Sequence, residues 1–229
     1  MTAETRVDWA HDESQLERLT FFSDAVFAIA MTLLIVEIHV PELPMLSERG
    51  LGIRLINLMP HYIGFLSSFL VIGRFWVAHH QLFGLLDRTS TRLLWTNTLF
   101  LLAVAFMPFP TAVLSTYVQL RVGVGFYCAW LTVLGLANLV LIRAAFAEGT
   151  LLKPGVPPGL ERQHLRGAMI PILLGLLALV AGMISPLAVL VALTLGGPLI
   201  GAALRRKGSV PDAGQAPPVT ADQSRDQTA

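Results

Sequence analysis

Six stretches of this chain are too long and too apolar to be covered by a domain of this size. They run at Phe21–Val40, Tyr62–Phe83, Leu93–Leu114, Val122–Phe146, Ala168–Ile184 and Leu187–Leu204. About 20 predominantly apolar residues in a helix cross a hydrocarbon core of about 30 Å, so each run predicts a membrane span. None shows the sustained period-2 alternation of a transmembrane strand. Composition points the same way, with 54% hydrophobic and 14% charged residues and a mean hydropathy of +0.66, far from the balance of a soluble domain. The expected fold class is an all-α integral membrane protein of six transmembrane helices, the last two meeting in a tight turn at Ser185–Pro186.

Orientation is read from the cations. With a cytoplasmic N-terminus, only Arg49, Arg54 and Arg121 of the 16 Lys and Arg residues fall in outside loops, and Arg74 lies within a span. That bias predicts cytoplasmic N- and C-termini. The first 20 residues are polar and carry Glu4, Asp8, Asp12, Glu13 and Glu17, unlike the basic stub of a cleavable signal. The first span is therefore expected to stay as an anchor in the cell membrane, the bacterial plasma membrane. Residues 1–17 read as a cytoplasmic segment, 18–207 as the membrane domain and 208–229 as a disordered cytoplasmic tail too poor in apolar residues to build a core. No internal repeat is visible.

Several function classes drop out. A formal net charge of +1 gives no drive toward nucleic acid. The single cysteine, Cys128, excludes an internal disulfide framework and reads as a small buried hydrophobe. There is no His-Glu-x-x-His pair, no Gly-x-Ser-x-Gly elbow and no Walker-type loop, so the chain reads as no enzyme, with no cofactor.

What remains is a small set of polar residues inside the spans, each costing about 2.5–3.5 kcal/mol if ionised there. Asp24 falls roughly 5 Å from the start of the first span. His79 and His80 fall at a similar depth from the end of the second, and Asn97 at roughly 6 Å into the third. Such a layer can satisfy a buried carboxylate through Trp N–H, imidazole and guanidinium donors. Trp76 and His80 share a helix face. Arg74, roughly 13 Å deep, is expected to snorkel or to pair with Asp24. Glu37 sits near the outer end of the first span, as a mouth residue or an interfacial carboxylate. Adjacent histidines point about 100° apart, the wrong spacing for a shared metal, so no metal site is expected.

The first span also carries a stripe. Phe22, Ala25, Ile29, Leu33 and Val36 hold one helix face at 100° per residue, with Thr32 beside them. Periodicity alone favours a core-packing or lipid-facing face over a pore.

The stretch Arg18-Leu-Thr-Phe-Phe22-Ser23-Asp24, with Trp76, His79, His80, Asn97 and Met107-Pro-Phe-Pro110 further on, resembles the transmembrane-protein-175 family of potassium channels. The resemblance covers residues 18–112 and agrees only in helix number beyond them. It implies a potassium-permeable cation channel assembled as a homotetramer, its pore lined by the first helix and set in membrane lipid. Ile29, Leu33 and Val36 would then form stacked hydrophobic rings as the constriction, and Thr32 would contribute to ion selection. Arg18, Phe22, Ser23, Asp24, Trp76, His79 and His80 would form the structural network holding the pore helices, and permeant K⁺ would be the one ligand. No Thr-Val-Gly-Tyr-Gly filter occurs in the chain, so selection by a carbonyl cage is not expected. The competing reading is a proton-coupled secondary transporter using Asp24 and His79/His80 as a relay, although the repeats usual for that class are missing.

Overall fold

The computed structural model describes residues 3–147, 149–157 and 159–184, and these form seven α-helices and one 3₁₀ turn, with no strand among them. In chain order they are α1 (Ala3–Val36), α2 (Glu48–Asn57), α3 (Met59–Phe83), α4 (Thr91–Ala105), α5 (Pro108–Thr116), α6 (Arg121–Ala147) and α7 (Leu160–Ile184). Five segments are long and apolar enough to cross a membrane: Gln15–Val36, Met59–Phe83, Thr91–Thr116, Arg121–Ala147 and Leu160–Val180. The expected sixth span, the Ser185–Pro186 turn and the tail lie outside the described residues.

Two boundaries differ from expectation. The first helix ends at Val36 rather than Val40, where Ile38 N turns back to Ile35 O at 3.1 Å and Pro41 beyond cannot resume the ladder. The fifth span begins at Leu160 rather than Ala168, since about two polar turns extend the helix beyond its apolar part. The loop after α1 contains a helix, α2, started by the Ser47 side chain accepting from Gly50 N at 3.2 Å, a standard N-cap.

The third span is not continuous. It breaks at Phe106–Met107 between α4 and α5, because Pro108 has no N–H to give the helix. Met107 N turns back to Val104 O at 3.0 Å, which frees the carbonyl of Ala103. Trp130 of α6 takes it, its indole Nε1 donating to Ala103 O at 3.0 Å. A buried carbonyl that would otherwise stand unpaired thus joins the third span to the fourth.

Packing centres on α6, which lies against α4, α5 and α7, while α1 lies against α3, α4 and α5. The α6–α7 seam is close because glycines remove side chains from it. A Cβ at Gly175 would come within 2.7 Å of Thr132 Oγ1 and 3.0 Å of the Cys128 carbonyl, and one at Gly135 within 2.6 Å of Ile172 Cγ1. At one end of the bundle the loops after α3 and α6 are tied together. Asp87 N donates to Leu151 O at 2.8 Å and Lys153 N to Leu85 O at 2.9 Å. Lys153 Nζ also donates to Gly84 O at 2.9 Å, placing a cation at the negative end of α3.

Candidate functional site

Two faces of α1 have opposite fates. Leu19, Ser23, Phe27, Ala30 and Leu34 are buried against the rest of the bundle. Phe22, Ile29, Leu33 and Val36 remain 57%, 58%, 44% and 63% exposed, and Ala25 and Thr32 are exposed with them. The Thr32 hydroxyl is already engaged, lying 3.0 Å from Ala28 O and 2.9 Å from Ile29 O. Its methyl and oxygen surface stay on the open side.

The buried face is locked by a polar relay across three helices. His79 Nε2 of α3 donates to Asn97 Oδ1 of α4 at 2.9 Å. Asn97 Nδ2 donates to Ser23 Oγ of α1 at 3.0 Å, and Ser23 Oγ donates to Leu19 O at 2.8 Å. Ser23, His79 and Asn97 are all fully buried. Because Oδ1 only accepts, the imidazole carries its proton on Nε2. Aromatic rings close around it: Phe83 stacks on His79 with centroids 4.0 Å apart, and Phe27 lies at 5.5 Å. A relay of this kind, in surroundings of low dielectric, fixes helix register because a slip would leave several buried polar groups unpaired.

A second tie lies at the edge of the first. Trp76 Nε1 donates to Asp24 Oδ1 at 2.8 Å, and His80 packs along the same indole with centroids 5.8 Å apart. His79 and His80 therefore part company, the first buried and the second exposed. No three His, Cys, Asp or Glu side chains gather to hold a metal among the described residues. Arg18 and Arg74 are exposed. The expected pairing of Arg74 with Asp24 does not form, because Trp76, which reaches Asp24, lies two residues on and so on the opposite side of α3. The ion pair found among the described residues is the 4.0 Å contact of Arg88 with Asp87. Glu37 lies in the turn just past α1, its carbonyl 3.2 Å from His39 Nδ1.

Sequence reasoning missed a second buried cluster. Thr111 Oγ1 of α5 lies 2.8 Å from Ser68 Oγ of α3, which lies 3.1 Å from Tyr127 OH of α6. The clue was present in three hydroxyl residues at separate places in apolar runs, each needing a partner once buried.

An all-helical bundle with five spans of membrane length, pinned internally by buried hydrogen bonds, defines a multi-span integral membrane protein. The profile of the family described as "Endosomal/lysosomal potassium channel TMEM175" matches residues 18–108. The potassium channel Cha6605_3372 of Chamaesiphon minutus is 40% identical over 146 residues, 62% of this chain and 72% of that one. The potassium channel B446_29190 of Streptomyces collinus is 45% identical over 102 residues, 44% of this chain and 48%, about half, of that one. The human protein called endosomal/lysosomal proton channel TMEM175 is 23% identical over 158 residues, 31% of its length. The crystal structure of a lysosomal potassium-selective channel TMEM175 homolog from Chamaesiphon minutus superposes with a TM-score of 0.72 at 32% identity, covering 84% of this chain and 98% of that one. The chain belongs to the TMEM175 family.

Proposed function

We propose that this chain is one subunit of a potassium-permeable cation channel, a homotetramer in the plasma membrane with α1 lining the pore and both termini cytoplasmic. The carrying observation is the division of α1 into a face buried by α3, α4 and α5 and an open face of Ile29, Leu33 and Val36. A helix at the edge of its own bundle cannot enclose a conduit, so flux along that face requires further copies around an axis. Rings of branched aliphatic side chains would gate by dewetting and conduct a partly hydrated cation when they widen. Ile29, Leu33 and Val36 would form the constriction, with Thr32 bearing on ion choice.

In this reading Ser23, Asp24, Trp76 and His79 hold α1 from behind and never meet the ion, with Arg18, Phe22 and His80 around them. The relatives named potassium channel support the choice of ion. Passive proton flux is the second reading, favoured by the name that the human relative carries. Purified protein in liposomes with opposed K⁺ and Na⁺ gradients tests both, with subunit number counted by native mass spectrometry on the same sample. K⁺-driven flux from a four-subunit species is the expected result. A monomer, or vesicles that stay impermeable to both ions, would overturn the channel. Proton uptake without K⁺ flux would select the second reading.

A further inference from the structure

None of the ten residues of α2 is buried. It sits at the end of the bundle where α1 has just stopped and α3 begins, since Leu58 closes α2 and opens α3. At 100° per residue, Leu51, Leu55, Ile56 and the capping Leu58 fall on one side of it, with Glu48 of the first turn and Gly52 between them. Arg49 and Arg54 fall at the two margins of that apolar sector, while Ile53 and Asn57 occupy the opposite side. The sector is open: Ile56 is 69% exposed, Leu55 41% and Leu51 37%. Both arginines are exposed, and neither has a carboxylate partner among the described residues. The strand of chain leading into α2 adds Met45 and Leu46, at 82% and 96% exposure.

A short helix with leucines along one side, a cation at each margin of that side, and spans of membrane length attached before and after it has the build of an interfacial helix. We propose that α2 lies in the plane of the bilayer surface, its Leu51–Leu55–Ile56 sector sunk among acyl chains and Arg49 and Arg54 bonded to lipid phosphates. Position supplies the membrane, because α3 enters its span at once after Leu58. Charge complementarity supplies the headgroup contact: two unpaired guanidinium groups, each able to bond a phosphate in bidentate fashion.

The test is a depth measurement and needs no ion flux, so it stands or falls apart from the channel reading. In a Cys128→Ala background, full-length protein carrying a nitroxide at Leu55→Cys or at Ile53→Cys is reconstituted in phosphatidylglycerol vesicles. Collision rates with oxygen and with a water-soluble nickel chelate are then compared. The Leu55 label should sit about 5–10 Å below the phosphates, accessible to oxygen and shielded from nickel, while the Ile53 label stays accessible to nickel. Adding Arg49→Gln and Arg54→Gln should move the Leu55 label measurably toward water. Equal nickel access at both positions would put α2 in solution and overturn the proposal. A Leu55 label shielded from both reagents and broadened by spin–spin coupling would show a second copy covering the sector, and would overturn it too. A depth indifferent to the two arginine changes would remove the phosphate contacts. The four α2 positions are unburied, so the label and arginine changes leave the core of the Cys128→Ala parent untouched.

Discussion

Asn97 is the middle of the relay, accepting from His79 and donating to Ser23, so its loss breaks two bonds between helices. Asn97→Leu leaves the His79 Nε2–H buried without an acceptor, a loss of about 1–3 kcal/mol. Thermal unfolding in detergent should show a lower Tm, whereas Thr32→Ala should leave Tm unchanged because its hydroxyl bonds only its own helix. If Thr32 borders the ion path, the same variant should alter the K⁺/Na⁺ flux ratio, and an unaltered ratio would remove it from selection. Ile29→Asn puts an amide on the open face of α1 and should keep a dewetted constriction hydrated. Liposome flux should rise several-fold, and unchanged flux would place the constriction elsewhere. At this scale the sequence was informative about depth: Ser23, Asp24, Trp76, His79 and Asn97 do meet in one layer. It could not tell which of two adjacent histidines turns inward, nor that Trp76 rather than Arg74 reaches Asp24, because helical phase within a bundle depends on neighbours and not on the run itself.

Among the helices, α6 and α7 are held close by glycine. Gly175→Ala would drive its Cβ to 3.0 Å from a main-chain carbonyl as well as 2.7 Å from Thr132 Oγ1, and a carbonyl cannot rotate away. Overpacking of about 1–3 kcal/mol is expected, read as a lowered Tm. Gly167→Ala, where a Cβ meets nothing within 4 Å, should be neutral or slightly stabilising and serves as the comparison. Hydropathy located the five described spans because burial in lipid needs only length and apolarity. It missed the break at Pro108 because a proline counts as acceptable in an apolar run while withholding the N–H the ladder needs. It missed α2 because a helix that buries nothing in its own chain leaves no core periodicity, and only Ser47 before Glu48 hinted at a start. The late start assigned to α7 has a related cause, since Glu161, Arg162 and Arg166 weigh against a span though not against a helix.

For the molecule as a whole, the tie between the loops after α3 and α6 gathers Gly84, Asp87, Leu151 and Lys153 at one end. The loop of residues 117–120, between α5 and α6, belongs to the other end, because α6 runs the length of the bundle between them. The cation bias predicts that the first end faces the cytoplasm. A membrane-impermeant maleimide applied to intact cells should therefore label Gln119→Cys and spare Thr150→Cys in the Cys128→Ala background, both positions being exposed. The reverse pattern would invert the topology while leaving the helix packing untouched.

The bond from Trp130 to the carbonyl of Ala103 has a genetic corollary. Its donor is encoded, whereas its acceptor belongs to the polypeptide itself and survives any codon at position 103. A saturation library scored for folded protein should thus be lopsided: position 130 should reject every residue that cannot offer a donor at that reach, while position 103 should discriminate by bulk alone.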